Sequence, residues 1–154
     1  MNDTYVVPPH RPVIDGEKQS APQQHHVLLV DDNTDLLSVL RETLESSGFG
    51  VTAVTAGVSA LEALATKVPD IIVCDIMMPG KGGVDVLKEI KEIQPNLEMI
   101  MATGYATLET AVESMKQGAF DYISKPYSLD QLCVIFEKAI ERRRLKAQVG
   151  KLQE

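Results

Sequence analysis

The sequence has little cysteine, no apolar run of membrane length and a shortage of basic charge. Each lack removes a class of protein. Only two cysteines occur in 154 residues, Cys74 and Cys133. They lie far apart and match no zinc or redox spacing, which argues against a metal module or a disulfide scaffold. Cys74 closes the apolar run Ile71-Ile72-Val73-Cys74 and reads as a small buried hydrophobe. The pair points to a reducing compartment. No apolar run reaches the ~20 residues of a membrane helix. No basic segment followed by an apolar core marks a secretory leader. The expected location is therefore the cytoplasm, with no membrane partner. Lys and Arg total 15 against 22 Asp and Glu, a net charge of −7. That balance argues against direct nucleic-acid binding by the domain itself.

What is present suits one globular domain. Hydrophobic residues make up 44% and charged residues 24%. A chain of this size buries roughly two thirds of its unfolded surface, enough to need no staple. Residues 1–26 stand apart. They hold Pro8, Pro9, Pro12 and Pro22 of the eight prolines and close on Gln23, Gln24, His25 and His26. They show no helical or strand period, so a disordered tail is expected. His10, His25 and His26 find no partner ligand at metal spacing.

From Val27 the pattern becomes regular. Val27-Leu28-Leu29-Val30 is a short unbroken apolar run ended by Asp31-Asp32, as in a strand buried on both faces. Leu36, Leu37, Leu40 and Leu44 predict a helix that Gly48 ends. Residues 51–55, rich in Val and Thr, suit an outer strand. Val58, Leu61, Leu64 and Ala65 predict a second helix, stopped by Pro69. Residues 71–74 form a buried strand that ends at Asp75, and 79–83 form a loop. Val86, Leu87, Ile90 and Ile93 give a third helix; 97–102 a fourth strand ending at Thr103. Leu108, Ala111, Val112 and Met115 give a fourth helix, and 120–123 a fifth strand ending near Lys125-Pro126. Leu132, Ile135, Phe136, Ala139 and Ile140 give a fifth. Five such alternations predict an α/β fold: a parallel sheet joined by right-handed crossovers, with helices on both faces.

In open sheets of this kind the site lies at the carboxyl ends of the strands. Those ends carry Asp31, Asp32, Asp75, Thr103 and Lys125. A lone aspartate there is usually a helix cap, and a lone lysine is usually solvated. Five such residues at successive strand ends are hard to explain as caps. Three converging carboxylates need a cation or a shared proton. A hard cation such as Mg²⁺ takes oxygen ligands, and Lys125 adds a second positive charge. The set suits phosphoryl transfer, which needs positioning and charge neutralisation, with a carboxylate as nucleophile.

At these residues the chain resembles the receiver domain of bacterial two-component response regulators. The resemblance covers 27–140 and rests on LLVDDN at 28–33, IIVCDIMMPG at 71–80 with Gly83 following, MATGYA at 101–106 and GAFDYISKP at 118–126. It implies a flavodoxin-like five-stranded parallel sheet in order 2-1-3-4-5. It implies Asp75 as phosphoacceptor and Mg²⁺ as cofactor, held directly by Asp32, through water by Asp31, and by the Met77 main-chain carbonyl. Thr103 and Lys125 would take phosphoryl oxygens, and Tyr122 would be the switch aromatic. It also implies a cis Lys125–Pro126 bond and a sensor histidine kinase as phosphodonor. The chain would be a phosphoacceptor with self-catalysed gain and loss of phosphate, not an enzyme acting on outside substrates. Gly82 stands where many relatives carry an acid, Met77 offers no polar side chain, and Gly104 leaves room above the site.

A second clue lies past Ile140. Glu141 and Arg142-Arg143-Arg144 lead to Leu145, Val149 and Leu152, the spacing of a coiled-coil seam. With AVESMKQGAFDYISKPYSLDQL, this ending is similar to receivers of nitrogen-regulator-class transcriptional activators. The expected organisation is a tail at 1–26, a receiver at 27–141 and a helical extension at 142–154. A homodimer through helix 4, strand 5, helix 5 and the extension is expected. The rivals fare worse. A haloacid-dehalogenase-like phosphatase wants a second Asp where Met77 stands, and Asp31-Asp32-Asn33 would repel a flavin phosphate. A phosphorylation-independent interaction module remains the alternative that the complete acidic site speaks against.

Overall fold

The computed structural model describes residues 25–104 and 108–153. Residues 1–24, nearly all of the expected tail, fall outside the described residues, as do the side chains of Val149 and Leu152. The described elements run β1 (His26–Val30), α1 (Thr34–Ser46), β2 (Gly50–Val54), α2 (Gly57–Thr66), β3 (Ile71–Asp75), α3 (Gly83–Ile93), β4 (Glu98–Thr103), α4 (Leu108–Lys116), β5 (Asp121–Ser124) and α5 (Leu129–Gln153). The strands form one parallel sheet in the order β2-β1-β3-β4-β5, as the alternation and the resemblance imply. No helix among the described residues is long and apolar enough to cross a membrane.

The sheet is apolar on both faces because each central strand sends successive residues to opposite sides. Leu28, Val30, Ile72, Cys74, Met99 and Met101 join one core with Ala60 and Leu64 of α2 and Val86, Leu87 and Ile90 of α3. Val27, Leu29, Ile71, Val73, Ile100 and Ala102 join the other with α1 and α5. There Phe49 and Phe136 meet edge to face at 5.5 Å.

Helix boundaries follow local chemistry. Asn33 caps α1, its side-chain oxygen accepting from the Leu36 N–H at 3.1 Å. Gly48 follows the same helix with φ +97°, a conformation that suits only glycine without strain. β1 begins at His26, one residue before its apolar run. The His26 N–H donates to Asp70 Oδ2 at 2.7 Å, and the Gly50 N–H donates to the His25 carbonyl, so strand pairing extends into the polar residues.

Three helix faces differ from the expected stripes. Val58 of α2 is exposed; Leu64 is buried as expected, but its buried companions are Gly57 and Ala60. A Cβ at Gly57 would stand 2.6 Å from Val86 Cγ2, so α2 turns its smallest residue toward α3. Ile93, in the last turn of α3, is exposed. In α4 the buried residues are Ala111 and Ser114. Leu108 is 80% exposed, and Val112 and Met115 also face outward. The helix rests on its small side chains and leaves its large ones in solvent.

Candidate functional site

The carboxyl ends of β1, β3, β4 and β5 bring the expected residues together. Asp31 follows β1, and its N–H donates to the Val54 carbonyl at 3.1 Å. Its side chain is buried and doubly engaged. Oδ1 accepts from the Asn33 N–H at 2.9 Å, and Oδ2 from Lys125 Nζ at 2.6 Å. Asp75 ends β3 and is buried; its Oδ1 accepts from the Met77 N–H at 3.3 Å. Lys125 Nζ lies 3.5 Å from Asp75 Oδ2, so one ammonium bridges two carboxylates. Asp32 is exposed, yet Asp31, Asp32 and Asp75 each place an oxygen within 4.8 Å of the others. Three carboxylates that close fit a hard cation with oxygen ligands.

Thr103 ends β4 and is buried. It stands one residue past Ala102, which is in register with Asp75. Lys125 is aimed by its backbone. Its N–H donates to the Thr103 carbonyl at 2.9 Å, and the Lys125–Pro126 bond is cis, as the resemblance implies. Met77 extends into solvent, and a Cβ at Gly104 would meet nothing within 4 Å. The ground above the carboxylates is therefore open. Tyr122 does not join the cluster. It is exposed and lines a surface cleft of about 450 Å³ with Leu108, Ala111, Val112, Met115 and Lys116.

The electrostatics follow from crowding. Burial, then the neighbouring Asp31 charge, raises the Asp75 pKa above the usual carboxylate value, with Lys125 opposing. Burial pulls Lys125 down, but its hydrogen bond to Asp31 and the charges of Asp31 and Asp75 outweigh it, and the net shift is upward. The lysine is a fixed cation in a site with surplus negative charge.

Two further residues shape the site without a sequence signal for that role. Tyr127 packs beside the site, where burial, then Asp31 and Asp75, push its hydroxyl up to about 12. Nothing in its local pattern marks it, because the chain reverses between Pro126 and α5. Gly83 was noted only as part of a motif. A Cβ there would stand 2.2 Å from the Asp75 carbonyl oxygen, so α3 begins hard against the strand end that carries Asp75.

Comparison with known proteins agrees with this geometry. The family model of the response regulator receiver domain matches residues 27–137. The chain is 38% identical over 131 residues to the DNA-binding transcriptional regulator NtrC of Escherichia coli (strain K12), an alignment covering 85% of this chain and 28% of that protein. It is 35% identical to the nitrogen assimilation regulatory protein NtrX of Azorhizobium caulinodans, covering 84% of this chain and 29% of the relative. The chain thus spans under a third of the length of these relatives. Among solved structures, a receiver domain protein from Clostridium thermocellum superposes with a TM-score of 0.75 at 32% identity, over 79% of this chain and 98% of that one. NtrX from Brucella abortus superposes with a TM-score of 0.79 at 33% identity, over 84% of this chain and 30% of that one. With its sheet order, its acidic strand ends and a family match over 27–137, the chain belongs to the receiver domains of two-component response regulators.

Proposed function

We propose that this receiver accepts a phosphoryl group on Asp75 from the phosphohistidine of a sensor histidine kinase. A carboxylate oxygen of Asp75 attacks phosphorus. The P–O bond forms as the P–N bond breaks, and the imidazole leaves with the electron pair and takes up a proton. The observation that carries this reading is Lys125 bridging Asp31 and Asp75 inside a triad of carboxylate oxygens within 4.8 Å. Asp32, Asp75 and the Met77 main-chain carbonyl would hold Mg²⁺ directly, and Asp31 would act through water. The two engagements of the Asp31 carboxylate support that division. The cation supplies charge neutralisation for the incoming phosphoryl oxygens. Lys125 and the Thr103 hydroxyl bind the remaining oxygens. The chain is a phosphoacceptor rather than an enzyme, and the cytoplasm is its proposed place, consistent with the family.

Incubation with acetyl phosphate and Mg²⁺ tests the reading. The native chain should take up one phosphoryl group, and Asp75→Asn none. Retained stoichiometric labelling of Asp75→Asn would refute the acceptor. Failure of the native chain to label would leave a phosphorylation-independent interaction module.

The output reading rests on the exposed face of α4. Phosphate on Asp75 draws the Thr103 hydroxyl inward, Tyr122 follows, and the α4–β5–α5 face changes shape. A cleft lined by Leu108, Val112, Met115 and Tyr122 supports a protein partner there, first a second copy of the chain. Coupling of this kind changes dimer affinity by roughly 5–150-fold. Sedimentation with and without beryllofluoride checks it; equal association constants would point to a different partner. Similarity to regulators named as transcriptional makes control of transcription the proposed end point.

A further inference from the structure

The amino end of the sheet holds a second charged cluster, remote from Asp75. Glu98 opens β4 and is fully buried, although it is a carboxylate. A buried carboxylate persists only when paired and hydrogen-bonded. Its partners come from the far end of the chain. Arg142 grips it with two bonds, Nε to Oε2 at 2.7 Å and Nη2 to Oε1 at 3.1 Å. The same guanidinium lies 4.9 Å from the centre of the Phe120 ring. Lys146, one helical turn on, places Nζ 3.3 Å from Oε2. Arg143 adds a bond from Nη1 to Asp70 Oδ1 at 3.2 Å, just before β3. Lys91 fixes the approach to β4, donating to the carbonyls of Pro95 and Leu97.

Arg142, Arg143 and Lys146 all lie past Ile140, where the apolar stripe of α5 ends. Yet α5 continues without a break to Gln153. A forked guanidinium on a carboxylate fixes direction as well as distance. We propose that Glu98 anchors a clamp that makes residues 141–147 part of the receiver rather than a free linker, held to the strand whose other end is Thr103. The domain boundary expected at residue 141 then moves past Lys146. Any motion of β4 or α5 carries the extension with it, and the seam beyond starts in a fixed direction.

Amide hydrogen exchange on the full chain tests the clamp without any phosphodonor, so its outcome is separate from the assignment of Asp75. In the native chain, amides of 141–147 should be protected to within roughly tenfold of those of 132–139. In Arg142→Met/Lys146→Met they should exchange roughly tenfold faster or more, while those of 71–75 stay protected. Glu98→Gln covers the case in which that variant does not fold, because the amide keeps the shape and buries no charge, while Arg142 and Lys146 lose their anion but still reach solvent. It should speed exchange at 141–147 and spare β3. Exchange at 141–147 at unstructured-peptide rates in the native chain would overturn the proposal. So would rates at 141–147 that neither variant changes.

Discussion

At the carboxyl ends of the strands, Asp31, Asp32 and Asp75 gather around Lys125, whereas at the amino ends Glu98 and Asp70 meet Arg142, Arg143 and Lys146. The first cluster has surplus negative charge, opens to solvent at Asp32 and raises the pKa of its central carboxylate. The second pairs each of its acids with a cation and seals its buried carboxylate completely. Both are built from acids at strand termini, so position alone does not separate a reactive site from a structural one. Charge balance does. On the proposed function, the cluster short of cations is completed by a ligand, and the balanced one holds the fold.

The comparison breaks most readily at the balanced end. Arg142→Met should destabilise the chain by about 3 kcal/mol, because it leaves Glu98 buried without its forked partner. Chemical denaturation checks this, and a loss below ~1 kcal/mol would mean that Lys146 alone suffices.

At the unbalanced end the next largest effect comes from adding charge rather than removing it. Mg²⁺ at one hundred times its dissociation constant should stabilise the native chain by about 2.7 kcal/mol. Asp32→Ala should need a higher concentration for the same gain, read by thermal melts across a Mg²⁺ series. Coincident titration curves would show that Asp32 is not a ligand.

Asp75→Asn should act in the opposite sense to Arg142→Met and raise stability in metal-free buffer by about 1 kcal/mol. The sign follows from the raised pKa of Asp75. The folded state binds this proton more tightly than the unfolded state, so stability falls as pH rises from the ordinary aspartate value through the raised folded value. Asp75→Asn should flatten that part of the pH–stability curve. A curve of unchanged slope would mean that the carboxylate is not under strain.

The smallest effect belongs to neither cluster. Tyr122→Phe removes a hydroxyl on an exposed ring and should change stability by less than ~0.5 kcal/mol. Its effect should instead be on dimer affinity in the presence of beryllofluoride.

The carboxyl end was legible in the sequence and the amino end was not. Asp31, Asp75 and Thr103 each close an apolar run and Lys125 follows the mixed strand 121–124, so the sheet order brings them together. Glu98 sits inside the run 97–102, where one acid among apolar residues carries no sign of a partner. Its partner stands 44 residues on, in a basic stretch that reads as solvated helix. The α4 face was misread for a related reason. Leu108, Ala111, Val112 and Met115 have core spacing, but spacing does not say which side of a helix meets the sheet, and of these only Ala111 is buried, together with Ser114. Tyr127 follows a chain reversal that no periodicity describes.

Reduction of the phosphorylated chain with borohydride, followed by peptide mapping, tests the central claim most directly. Borohydride reduces an acyl phosphate to an alcohol and leaves free carboxylates intact. After treatment with acetyl phosphate and Mg²⁺, Asp75 should be recovered as homoserine, with Asp31, Asp32, Asp70 and Glu98 unchanged. Homoserine at Asp31, Asp32 or Asp70, the five-carbon hydroxy amino acid at Glu98, or no homoserine at Asp75 in a chain that carries phosphate, would contradict the account.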